Sequence, residues 1–356
     1  MNTTGFGYNI TSRWAAEGLA PLPGKFEFEK NDSDFSYTFK KETSDNWGDV
    51  GEVSAQRFVK YTNGYKNRVV IDFEKQSVEV TTLSPVAKER HLENSIVAIL
   101  LAPDSPDKVD VFSSKDIESG GEPFLLNRLV DNEGQKIRWS WRARKYAKHL
   151  IKTSSYKSET SYHKGLSVKF YFNGTTDSSI NVITNGLYAA EINKAALKYS
   201  VQPGLIKAII QTESSFNPFA VSGVGAYGLM QVMPKTAGAD VFKHVYKKNG
   251  IPTKKHLFDP EKNIDMGTAY IHVLQNRYLK SITNETSKKY LAISSYNGGV
   301  GTALSLFEGG SRKEKFAFIN KMDSETIKKR LIENHPFEET RNYLSKVLKA
   351  ESSSSS

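Results

Sequence analysis

Two periodicities divide the chain. Up to about residue 175, β-rich runs are interleaved with helical stripes, and beyond it only helical spacing remains. Arg68-Val69-Val70-Ile71-Asp72-Phe73 and Ser77-Val78-Glu79-Val80-Thr81, separated by Glu74-Lys75-Gln76, predict a hairpin. Leu92, Ile96, Ile99 and Leu100 recur at helical spacing and predict a helix within 86–101. Short strands are expected over 123–130 and 137–141, on either side of the turn Asp131-Asn132-Glu133-Gly134. A helix over about 142–151 and an alternating strand over 166–172 complete an α+β domain. Trp14, Trp47, Trp139 and Trp141 all fall in it and are expected in its core or at a domain interface.

Gly174-Thr175-Thr176-Asp177-Ser178-Ser179 is the best candidate for a linker. Helical patterns follow at about 184–200, 203–214, 230–248, 260–279, 286–296, 299–307, 312–321, 324–334 and 336–349. Pro203, Pro260 and Pro336 stand where first helical turns would begin, and Asp259 is placed to cap the helix behind it. The fold class is therefore α+β. A segment over 1–45 has no assigned role, a mixed α/β accessory domain covers 46–175, an all-α domain covers 176–350, and a disordered serine tail covers 351–356.

Composition refines this reading. A chain of 356 residues suggests roughly two domains. Its 38% apolar residues suffice for cores and exclude wholesale disorder. The longest apolar run, Ile96-Val97-Ala98-Ile99-Leu100-Leu101-Ala102, falls far short of the ~18 residues that span a bilayer. The absence of cysteine excludes disulfides, thiolate catalysis, zinc–thiolate sites and a lipidated cysteine in the chain as written. Residues 1–20 show no signal-peptide pattern. Forty-nine basic against 39 acidic residues leave a net charge of +10, which favours an anionic partner: nucleic acid, acidic lipid or an acidic wall polymer. No nucleic-acid recognition motif accompanies the charge, so nucleic acid ranks last. The histidines form no H-x-x-x-H pair, and neither a metal nor another cofactor is expected. Gly223-Val224-Gly225-Ala226-Tyr227-Gly228 satisfies G-x-G-x-x-G but follows a helix rather than a strand, which argues against a dinucleotide site. Its glycines are expected to allow a tight turn and a close backbone approach to a sugar.

Glu213 is the informative position. In the helix opened by Pro203 the apolar stripe is Leu205, Ile206, Ile209 and Ile210, and Glu213 projects from that stripe near the helix C-terminus. Desolvation and the negative end of the helix dipole both favour the protonated acid, which a glycosidic general acid requires. A glutamate on the edge of the stripe that reaches water is the plain alternative. Around it stand Glu213-Ser214-Ser215-Phe216-Asn217-Pro218, Gly225-Ala226-Tyr227-Gly228-Leu229-Met230-Gln231-Val232-Met233-Pro234, Ser295-Tyr296-Asn297-Gly298-Gly299 and Glu339-Thr340-Arg341-Asn342-Tyr343. In order and spacing these resemble the lysozyme-like lytic transglycosylases, the superfamily of soluble transglycosylases and goose-type lysozyme. The stretch from Leu257 through Asp265 to Gly267-Thr268-Ala269-Tyr270 narrows the resemblance to a membrane-bound branch, and the first half is similar to that branch from about Trp47 onward.

The resemblance implies an all-α, goose-type lysozyme-like catalytic domain and assigns roles. Glu213 matches the sole catalytic acid. Ser222, Gln231, Met233, Tyr227, Tyr296, Asn297 and Tyr343 match substrate-facing or site-packing positions. From the residues alone, Gln231 could be a capping amide, Met233 and Tyr343 core residues, and Asn297 a helix terminus. The chain departs from the pattern at Ser295, where the relatives carry Ala. The implied reaction is cleavage of the β-1,4 bond between N-acetylmuramic acid and N-acetylglucosamine of peptidoglycan, leaving 1,6-anhydromuramoyl ends, with one glutamate acting first as acid and then as base. The implied location is the periplasm or cell envelope, associated with the outer membrane, with glycan strands as partner and an anionic membrane surface as a peripheral contact. A hydrolase on the same fold and a catalytically silent wall-binding protein are the competing readings.

Overall fold

The β-branched runs at the centre of the first half place apolar side chains on opposite faces in turn, which is why a sheet forms there. The computed structural model describes residues 41–48, 55–103, 114–160, 163–172, 188–222 and 224–354. Strands β1 (Arg57–Thr62), β2 (Asn67–Asp72), β3 (Ser77–Thr82), β4 (Ser155–Glu159) and β5 (Lys164–Tyr171) form one antiparallel sheet in the order β1-β2-β3-β5-β4. Phe58, Val69, Ile71, Val78, Val80, Val168 and Phe170 face one core, while Val59, Tyr61 and Val70 face a second cluster with Trp47, Tyr65 and Leu83. The register places Phe58 opposite Ile71, Val80 opposite Val69, and Val78 opposite Phe170, so each pair adds cross-strand packing on the same face. Helices α1 (Lys88–Leu100) and α2 (Ser140–Ser154) cover the first face with Leu92, Ile96, Ile99, Ala143, Ala147 and Leu150.

The expected hairpin is β2–β3, and the expected strand over 166–172 is β5. The strands expected over 123–130 and 137–141 do not form. Only the isolated bridges Pro103–Pro123 and Val130–Lys136 appear there. The segment folds instead around Asp131, whose Oδ1 accepts from the backbone N–H of Glu133 and Gln135, both at 2.9 Å. Arg142 pairs with the same carboxylate, whose pKa is lowered by these bonds although burial opposes the shift. The tryptophans also divide. Trp47 is buried and donates to Tyr65 O at 2.7 Å, but Trp139 and Trp141 are 61% and 59% exposed. The buried stripe of α2 runs through Ala143, Tyr146, Ala147 and Leu150, which leaves Trp141 off that face with the Arg142 guanidinium over its ring. Trp14 and the candidate linker lie outside the described residues.

Among the described residues the regular elements of the second half are all helical, with two isolated bridges, Val221–Tyr227 and Tyr227–Val232. Its elements are α3 (Ala189–Tyr199), α4 (Pro203–Ser214), α5 (Ala239–His244), α6 (Lys254–Phe258), α7 (Pro260–Val273), α8 (Glu285–Gly298), α9 (Val300–Ser305), α10 (Arg312–Ile319), α11 (Ser324–Asn334) and α12 (Glu338–Ser354). Ile206, Ile210, Leu229, Ile264, Leu291 and Leu344 sit at the centre of its core. Pro203 and Pro260 occupy first turns as expected, and Asp259 accepts from the Lys262 N–H at 3.1 Å. Pro336 does not: α12 begins two residues later.

The helix expected over 230–248 is corrected. Gly228 and Gln231 have φ of 74° and 46°, left-handed values that no helix interior accepts, so a π-type turn begins only at Pro234 and α5 follows it. The pattern over 260–279 likewise divides into α7 and a π-type turn, Leu274–Tyr278. At the other end, α12 continues to Ser354, through serines expected to be disordered, and the hydroxyls of Ser352 and Ser353 bond back to Lys349 O. No helix among the described residues is long and apolar enough to cross a membrane.

Candidate active site

Helix α4 buries Leu205, Ile206, Ala208, Ile209 and Ile210 and carries Glu213 in its last turn, closed by Ser215 in the left-handed conformation. Ser214 ties that turn to the next loop by donating to Leu229 O at 2.8 Å. The loop over 226–232 is held through its backbone groups, which bond to one another and to side chains from neighbouring helices. Tyr227 bridges to Val221 and Val232, and Gly228 N–H donates to Ala220 O at 2.8 Å. Asn263 of α7, wholly buried, accepts from Met230 N–H at 2.8 Å and donates to Tyr227 O at 2.8 Å and Leu257 O at 2.7 Å. Tyr296 of α8 donates from its hydroxyl to Met230 O at 2.9 Å. Gln231 donates from Nε2 to Gly228 O and Ala220 O, which leaves its buried Oε1 without a hydrogen-bond partner.

These elements enclose one cleft lined by Glu213, Ser222, Gln231, Met233, Tyr296 and Asn297, together with Thr236, Tyr270, Ser295 and Glu339. Ser222 accepts from Ala226 N–H at 3.0 Å, so its own hydroxyl proton is available to a bound molecule. Asn297 accepts from Thr340 Oγ1 at 2.6 Å and donates to Glu339 Oε1 at 3.2 Å, which joins α8 to α12 at the rim. Tyr343 lies behind the cleft. Its buried hydroxyl lacks a well-directed partner and faces the Glu213 carboxyl. Burial and the neighbouring Glu213 charge raise the pKa values of Tyr296 and Tyr343 well above the ordinary phenol value, so both remain neutral donors.

Behind Gly298, His335 packs so closely that a Cβ there would lie 2.7 Å from its ring. Burial lowers the pKa of His335 and of His256, and each leaves a buried Nε2 without a partner. Both rings therefore stay neutral in the folded chain after they would protonate in the unfolded one. Stability falls as pH drops below the unfolded value of about 6.5, and levels off once the folded rings titrate. Thermal melts should give a midpoint about 3 °C or more lower at pH 5.5 than at pH 7.5. A flat midpoint over that window would contradict neutral burial of these rings.

The sequence comparisons agree with this architecture. Residues 28–177 match the family model of the membrane-bound lytic murein transglycosylase C N-terminal domain, and residues 190–319 match the transglycosylase SLT domain. Membrane-bound lytic murein transglycosylase C of Photorhabdus laumondii is 42% identical over 310 residues, covering 85% of this chain and 84% of the relative. The chain belongs to the membrane-bound lytic murein transglycosylase C family. The Serratia proteamaculans member is 40% identical over 316 residues, covering 86% of this chain and 85% of its own. Among solved structures, the 70 kDa soluble lytic transglycosylase of Escherichia coli is 27% identical over 47% of this chain and 24% of its own, with a TM-score of 0.35.

Of the positions expected from sequence, this transglycosylase brings Glu213, Ser222, Gln231, Met233, Tyr296 and Asn297 to one cleft. Tyr343 is adjacent to Glu213 without lining that cleft. Tyr227 does not line it either: its ring packs edge-on against Phe258, 5.5 Å away. Gly228 makes its close approach to Leu257 O and Asn263 rather than to a sugar. Sequence reasoning passed over Tyr270, whose ring lies 5.5 Å from Tyr296, and Glu339. Both stand inside motifs already singled out, so the motif was the available signal and the side chain's direction was not.

Proposed function

We propose that this chain cleaves the β-1,4 bond between N-acetylmuramic acid and N-acetylglucosamine in peptidoglycan without water, leaving 1,6-anhydromuramoyl ends. The observation that supports it best is the placement of Glu213 at the end of an apolar helix, open to a cleft and backed by two neutral tyrosines. In this reading protonated Glu213 donates to the glycosidic oxygen as the bond breaks. The muramoyl 2-acetamido oxygen stabilises the positive charge developing at C1. The ionised Glu213 then accepts the proton of the muramoyl C6 hydroxyl, whose oxygen bonds to C1. One carboxyl thus serves twice, and its proton is restored at the end of the cycle. The relatives' name, membrane-bound lytic murein transglycosylase C, supports work in the cell envelope, and the +10 charge suits acidic peptide stems. Digestion of purified sacculi should release muropeptides with anhydro ends, whereas reducing ends would overturn the reading in favour of hydrolysis.

Glu339 is the second carboxylate on the cleft, and a two-carboxylate hydrolase would need it. It is exposed and engaged by Asn297, the arrangement of a rim contact rather than of a proton carrier. Glu339→Gln should therefore keep at least about a tenth of the wild-type kcat, with any loss concentrated in KM. A fall in kcat matching that of a Glu213 variant would favour the hydrolytic mechanism.

A further inference from the structure

The last turn of α4 leaves backbone carbonyls that need donors, and here the donors come from the other domain. Gln56, just before β1, donates from Nε2 to Glu213 O at 3.0 Å and to Thr212 O at 3.4 Å. Its own carbonyl accepts from Phe73 N–H at 2.9 Å, which holds it to the hairpin side of the sheet. Asn217 returns the contact by donating to Ala55 O at 2.8 Å, and its Oδ1 accepts from Phe219 N–H at 2.9 Å. Phe219 is buried outside the helical domain's core. Its ring packs 5.0 Å from Phe58 and 5.5 Å from Phe124, within the accessory-domain core. The next residue, Ala220, accepts through its carbonyl from Gly228 N–H and Gln231 Nε2. A continuous path thus runs from the sheet, through the residues that follow Glu213, to the glutamine on the opposite wall of the cleft.

We propose that the accessory domain is a working part of the catalytic centre, with Gln56 and the Phe58–Phe124 socket for Phe219 acting as positioning residues that fix the end of α4 and so aim the Glu213 carboxyl. A domain that only tethered the enzyme to its polymer would need a mobile joint rather than a buried aromatic plug four residues beyond the helix cap. Small displacements of a proton donor cost large factors in rate, so the aim of this one turn is a rate-setting quantity. The inference rests on Glu213 being the acid.

The test uses the full chain and compares kcat, KM and pH–rate profiles on sacculi. Gln56→Glu is nearly isosteric but turns donors into acceptors aimed at carbonyls. It should lower kcat about tenfold or more with KM within about threefold. The new negative charge also favours protonated Glu213, so the alkaline limb of the profile should move up by about half a pH unit or more. Gln56→Lys retains a donor and should recover kcat to within about threefold of wild type, with the limb moved down. If Gln56→Glu does not fold, Phe219→Leu, which loosens the plug, is read instead: a fall in kcat at unchanged KM supports the proposal. An unmoved limb and a kcat within about twofold of wild type in the folded variant would overturn it. An inactive wild-type protein would instead sink the function proposed for Glu213, so the two failures are distinguishable.

Discussion

Glu213→Gln is expected to abolish peptidoglycan cleavage and leave the fold intact. The amide matches the carboxyl in volume, so packing around the end of α4 and the loop over 226–232 is preserved. In the proposed mechanism it can neither donate the proton that breaks the glycosidic bond nor accept the one from the C6 hydroxyl. General acid and general base assistance each contribute about 10²–10⁴-fold, and this single change removes both, so turnover should fall to background. The melting midpoint should stay within about 2 °C of wild type, because the amide keeps the carboxyl's volume and no buried cavity is made. Dye release from labelled sacculi, read beside a thermal melt, checks both halves. Residual turnover clearly above background in a folded variant would show that another group carries the proton.

The largest stability effect is expected at Gly228. Its φ of 74° is strained for any other residue, and a Cβ there would lie 2.4 Å from Leu257 O and 2.5 Å from Asn263 Nδ2. Neither neighbour can yield cheaply. One is backbone, and the other is a buried amide already bonded to Met230, Tyr227 and Leu257. Gly228→Ala should therefore destabilise the chain by about 3 kcal/mol or more, as strain and overpacking add. Gly225 is the internal control: its φ is 81°, but nothing lies within 4 Å of its added Cβ. Gly225→Ala should cost only about 1 kcal/mol of strain. Denaturant unfolding of the two variants measures the difference, and equal losses would contradict a role for close packing at Gly228.

The two glycines show where sequence reasoning runs out. A G-x-G-x-x-G pattern announces backbone freedom but not what approaches the backbone, because Asn263 reaches Gly228 only after α7 has packed. The same limit explains the strands. The hairpin β2–β3 was legible from its β-branched runs, whereas β1 buries Lys60 and Thr62 along with its apolar residues and shows no alternation. β4, with the sequence SYKSE, is mostly exposed and carries no apolar period at all. Helices were clearer, since a 3.6-residue stripe and a cap such as Asp259 are local signals. They failed where a backbone special such as Gln231 interrupts a helical composition. In the cleft, the motif residues Glu213, Gln231, Tyr296 and Asn297 converge as the family resemblance implied, which spacing alone did not show. Gln56 and Phe219 were invisible because their roles exist only across the junction between two separately folded cores.

Digestion of sacculi in water enriched in heavy oxygen puts the non-hydrolytic use of Glu213 to the most direct test. Anhydromuramoyl products free of label, lighter by one water than their reducing counterparts and missing entirely with Glu213→Gln, are the result expected. Heavy oxygen at C1 of the released muramoyl residue would mean that water attacks, and would contradict the mechanism assigned to this carboxyl.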